Sequence, residues 1–79
     1  MESYSNVQMR DIIKDYPVST VSGIIDEYIH SARDREIAKR TILENEHYEP
    51  LSAEFELTPR HVCNIVKKAR KVIITHLCT

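Results

Sequence analysis

Glycine is almost missing from this chain, with Gly23 alone among 79 residues. Sheet proteins place turn-forming glycines between strands, so the shortage argues against a β fold and for helices joined by short connections. Tryptophan is absent, and three prolines cannot make an extended linker. The longest apolar run near the C-terminus, Val72-Ile73-Ile74, is far below the roughly 20 residues that a membrane span requires. Residues 1–6 contain no basic patch leading into an apolar stretch, so no secretory leader is expected and a cytoplasmic location is the reading. Cys63 and Cys78 are the only cysteines. In one continuous helix they would stand about 22 Å apart, too far for a disulfide, which suits a reducing compartment. At this length the chain has room for one small domain, residues 1–79, built as an all-α bundle of four to five helices.

Acid is missing from one end only. Residues 1–57 hold six basic and twelve acidic side chains, whereas residues 58–79 hold five basic and none acidic. The net charge of −1 hides this division. A wholly basic terminal helix suits a polyanion-binding face, and it equally suits packing against an acidic partner.

Apolar periodicity places the helices. Met9, Ile12, Ile13 and Tyr16 follow helical spacing until Pro17 stops the run, and Val21, Ile24, Ile25, Tyr28 and Ile29 repeat it after Ser19 and Thr20, the expected N-cap. Gly23 weakens that helix near its start. Ser31 and Asp34 have capping-box spacing and open a third helix to about Asn45, with Ile37, Ala38, Thr41 and Ile42 inward. Its charged residues alternate in sign and read as a solvated face, with Glu36 and Arg40 as an i, i+4 pair. A short helix follows, from Glu49 or Pro50 to Glu56, with Leu51 and Phe55 as its apolar edge. Thr58-Pro59 then supplies an N-cap hydroxyl and a proline at the first helical position, the strongest start signal in the chain.

On a wheel of the final helix with Val62 at zero, Ile65, Val66, Ala69 and Ile73 fall within about 60° of it. Arg60, Asn64, Lys67 and Lys71 lie within about 40° of the opposite direction, and Lys68 about 60° from it. The chemistry of that far side matches duplex DNA: arginine can bind guanine bidentately, asparagine can bind adenine, and lysine neutralises phosphates. Arg60 and Asn64 are therefore the base-reading candidates. Thr58, Lys67, Lys68 and Lys71 are the phosphate candidates, with His61 and Arg70 flanking. Thr58 serves first as a helix cap.

The stretch Tyr48-Glu-Pro-Leu-Ser-Ala-Glu-Phe-Glu-Leu-Thr-Pro-Arg-His-Val-Cys-Asn-Ile-Val-Lys-Lys-Ala-Arg-Lys71 resembles the helix-turn-helix of bacterial sigma factor region four and of LuxR-like and small phage-type regulators. Leu51-Ser52, Leu57-Thr58 and Val62 match the family's aliphatic-small pair, its turn end and the anchor of its recognition helix. The segment Arg33-Asp-Arg-Glu-Ile-Ala-Lys-Arg40 looks like the supporting helix, so residues 31–79 read as the unit and residues 1–30 as a separate helical segment. Where the family often has Gly or Asn in the turn, this chain has Glu56, and Cys63 stands where a basic residue is common.

The resemblance implies a sequence-specific DNA-binding transcription regulator whose partner is double-stranded DNA. The competing reading is a protein-interaction module that docks on RNA polymerase or a regulatory factor. A homodimer fits the first, because two half-sites multiply specificity. No enzyme and no cofactor is expected: no phosphate loop, nucleophile elbow or metalloprotease motif occurs. His61, Cys63, His76 and Cys78 lack paired zinc-ligand spacing, so no metal is expected, and His76 and Cys78 read as frayed tail residues. The four tyrosines, Tyr4, Tyr16, Tyr28 and Tyr48, read as half-buried helix and turn residues.

Overall fold

The computed structural model describes residues 6–77, and the readings of Tyr4 and Cys78 lie outside them. The fold is all-α, with no strand among the described residues. Helices α1 (Asn6–Lys14), α2 (Val18–Tyr28) and α3 (Ala32–Ala38) are followed by a π-helical turn (Lys39–Leu43), then α4 (Tyr48–Glu54) and α5 (Pro59–Leu77). No helix among the described residues is long and apolar enough to cross a membrane.

Helix α5 is the spine of two apolar clusters. Its C-terminal half contributes Ala69, Ile73 and Ile74 to a cluster with Met9 and Ile13 of α1, Val21 and Ile25 of α2, and Ala38. Its N-terminal half contributes Val62, Ile65 and Val66, which meet Ile37, with Tyr48, Phe55 and Leu57 packed around them. Leu51 of α4 is fully buried. The expected inward stripe of the last helix is thus observed, and Ile74 widens it on the side that α1 covers.

Local signals explain most helix starts. The Ser31 hydroxyl accepts the Asp34 N–H at 3.3 Å, as the capping spacing implies. Helix α2 differs from expectation: it begins at Val18, with Pro17 in the cap position and the Pro17 carbonyl accepting from Thr20 and Val21. Ser19 and Thr20 are therefore inside the helix rather than capping it. Proline's fixed φ, near −60° here, suits the extended cap conformation without any side-chain hydrogen bond.

The third helix does not continue as one α-helix to Asn45. It widens into the π-turn, and Thr41 donates its hydroxyl to the Ile37 carbonyl at 2.8 Å within it. Chain direction then changes at Asn45, whose φ of 59° lies in the left-handed region that asparagine tolerates.

Arg40 also departs from the sequence reading. Instead of pairing with Glu36, it grips Glu46 through two hydrogen bonds of 2.9 and 3.0 Å and reaches Glu54 of α4 at 2.6 Å. These bonds hold the Arg40 guanidinium above its ordinary pKa and the Glu46 and Glu54 carboxyls below theirs. The solvated face assigned to this arginine is in fact a clasp between the π-turn and α4. A second tie, from Lys39 to Asp26 at 2.6 Å, joins the π-turn to α2. Arg35 donates to the Ile29 and His30 carbonyls just past the end of α2, both at 2.9 Å.

The connection between α4 and α5 is a Schellman turn. Leu57 donates to the Ser52 carbonyl at 2.7 Å and Glu56 to the Ala53 carbonyl at 3.3 Å, the paired bonds of that motif. Glu56 holds the left-handed position with φ 57°. A side chain there costs about 1 to 2 kcal/mol relative to glycine, part of which glycine's greater unfolded-state entropy offsets. Glu56→Gly is expected to stabilise the protein by about 1 kcal/mol, raising Tm by about 4–8 °C in thermal unfolding. A lowered Tm would refute the turn as described.

Candidate nucleic-acid interface

Helix α5 begins as its sequence dictates. The Thr58 hydroxyl accepts the His61 N–H at 3.1 Å, its carbonyl accepts the Val62 N–H at 3.1 Å, and Pro59 occupies the first helical position. The cap leaves Thr58 itself exposed. With Val62, Ile65 and Val66 drawn inward, the opposite side of the helix must face outward.

The exposed set is Arg60, His61, Asn64, Lys67, Lys68 and Lys71. Arg60, Asn64, Lys67 and Lys71 share one line along α5, spanning about 16 Å from first to last at 1.5 Å per residue. Arg60 and Asn64 are about 6 Å apart along the axis, close to the rise of two base pairs. None of the four cations in this set forms an ion pair among the described residues. Their charge is therefore not spent inside the fold. Lys68 sits toward α2 and α3, beside a shallow groove that Tyr28, Ile29 and Asp34 also line.

Helices α1, α2, α3 and α4 all pack against α5, while Arg60, Asn64, Lys67, Lys68 and Lys71 stay exposed.

Arg70 does not belong to this face. It is 8% exposed, and its Nε has no hydrogen-bond partner among the described residues. The burial has a readable cause: Arg70 stands four residues from both Val66, buried in the cluster with Ile37, and Ile74, buried in the cluster with α1 and α2. That i, i+4 row was the available signal, and a wheel centred on Val62 obscured it because α1 shifts the buried arc along the helix.

The tail residue His76 is likewise ordered within α5 and stacks on Tyr28 with ring centroids 3.5 Å apart and planes 9° from parallel. Tyr28 is 41% and Tyr16 38% exposed, close to the half-buried state expected, and Tyr48 is partly buried against the Val62 cluster. Cys63 is a half-buried free thiol. Among the described residues no group of three His, Cys, Asp or Glu side chains is placed to hold a metal ion.

No protein-family model, curated protein or solved structure matches the chain.

Proposed function

We propose that the protein is a sequence-specific DNA-binding transcription regulator that sets the N-terminal half of α5 in the major groove. The supporting observation is a row of exposed, acid-free cations with one amide on a helix whose other side is anchored in the core. Arg60 and Asn64, nearest the helix start, read bases; Thr58, Lys67, Lys68 and Lys71 hold phosphates; His61 contacts the flank. Arg70 has no part in this reading.

Binding to mixed duplex DNA at several salt concentrations tests it. Each phosphate contact contributes roughly 0.9 to the slope of log K against log salt, so replacing Lys67 and Lys68 with alanine reduces the slope by about two units. A chain that binds no duplex at low salt would instead be the protein-interaction module, docked on RNA polymerase or a regulatory partner. The acidic surplus of residues 1–57 and the 63% exposed Val18 supply that second reading with a surface. Homodimerisation on a two-half-site operator belongs to the DNA reading, and the stoichiometry of the complex measures it.

A further inference from the structure

Between α1, the π-turn and α5 lies a cavity of about 200 Å³ that the DNA reading leaves unused. Among the described residues its charged lining is Arg10, Lys14 and Arg70, with no carboxylate. Its apolar wall includes Ile13, Val21 and Ile42. Arg70 is the unusual member: more than nine-tenths buried, with its Nε unpartnered and no ion pair among the described residues.

A guanidinium cannot shed its proton to escape burial, and an uncompensated buried charge is expensive. Thr41 beside it spends its hydroxyl hydrogen on the Ile37 carbonyl, so that hydroxyl is not a donor to an anion. In the adjoining groove, which Arg70 also lines, Glu46 is committed to Arg40 and Glu49 is exposed. Among the described residues no carboxylate pairs with Arg70, which leaves its charge open to an anion from outside the chain. The π-turn on the cavity wall is a helix irregularity of a kind often found at functional sites.

We propose that this cavity binds a small organic monocarboxylate, its carboxylate held by the Arg70 fork with Arg10 and Lys14 at the rim and its hydrocarbon body against Ile13, Val21 and Ile42. The planar fork matches a carboxylate bidentately. The volume lies below the roughly 300–1,000 Å³ of pockets for drug-sized ligands, which limits the occupant to a small molecule. Because the site uses none of the exposed residues of α5, its test needs no DNA.

The experiment is calorimetric titration and thermal unfolding of the full chain at fixed ionic strength with hexanoate, benzoate, acetate, inorganic phosphate and hexanol. Hexanoate and benzoate bind saturably and raise Tm. Each buried methylene is worth about fourfold, so acetate, four methylenes shorter, binds about 250-fold more weakly than hexanoate when all four are buried. Hexanol, which has no charge, does not bind. Arg70→Met removes hexanoate binding while leaving Tm of the free protein unchanged or higher, because an apolar side chain replaces an uncompensated charge. Arg70→Lys keeps the charge without the fork and weakens hexanoate about tenfold, and Arg10→Gln weakens it severalfold; these two variants carry the test should Arg70→Met fail to fold. Unchanged hexanoate affinity in the Arg70 variants overturns the proposal. So does phosphate binding as tightly as hexanoate, or saturable binding by none of the probes.

Discussion

If the proposed DNA reading holds, Arg60→Ala and Asn64→Ala are each expected to weaken binding to a preferred duplex by about 1 to 3 kcal/mol, while binding to unrelated duplex changes far less. The asymmetry follows from what each contact does. A bidentate bond to a base edge exists only when the right base is present, whereas a lysine–phosphate contact exists on every sequence. Arg60 also carries charge, so its loss lowers non-specific affinity slightly; Asn64 is neutral and its loss leaves the salt slope unchanged. The measurement begins with selection of bound fragments from random DNA, which defines the preferred site, followed by titration of both variants on that site and on a scrambled one. Equal weakening on the two duplexes removes base reading from Arg60 and Asn64 and leaves them as phosphate contacts. Both side chains are exposed and neither enters the core, so Tm is the same for wild type and variants.

How far the fold was legible depended on the range of the interaction. Thr58-Pro59 and Ser31-Asp34 encode their helix starts within four residues, and both caps form. The stripe Val62, Ile65, Val66, Ala69 and Ile73 is set by helical period alone, and each of these residues is buried. Pro17 carried two meanings that sequence cannot separate, since a proline may end one helix or cap the next; here it does both within a few residues. The errors lie where a distant element decides. Arg40 had a suitable local partner in Glu36, yet Glu46 and Glu54 offer it two acceptors in one place once the chain reverses at Asn45.

The site divides the same way. Exposure of Arg60, Asn64, Lys67, Lys68 and Lys71 follows from one helix having a single apolar stripe, so the wheel sufficed. Arg70 required knowing that α1 lies against the C-terminal half of α5, a placement made by Met9 and Ile13 from the far end of the chain. The same packing that removes Arg70 from the outer face creates the cavity in which it stands alone.

Ile37→Ala is expected to lower stability by about 2 to 5 kcal/mol. Ile37 is completely buried and is the residue by which α3 enters the cluster under the α4–α5 turn, against Val62, Ile65 and Val66. Removing its outer carbons leaves a hole bounded by three helices that cannot all close upon it at once. A 79-residue domain has about 4 to 12 kcal/mol in total, so the variant loses a large share and its Tm falls by roughly 10–30 °C. Because α5 runs through both clusters, loss at Ile37 propagates to Met9, Ile13 and Ile25, and unfolding stays a single transition by far-UV circular dichroism and tyrosine fluorescence alike. Two separated transitions would mean that the α4–α5 unit folds independently of α1 and α2. On the proposed DNA reading, Ile37→Ala below its lowered Tm is expected to retain the wild-type affinity for duplex, since the outer face of α5 is unaltered, and Arg60→Ala is expected to show the reverse, full stability with weakened binding. That crossed pattern separates the residues that build the helix platform from those that use it.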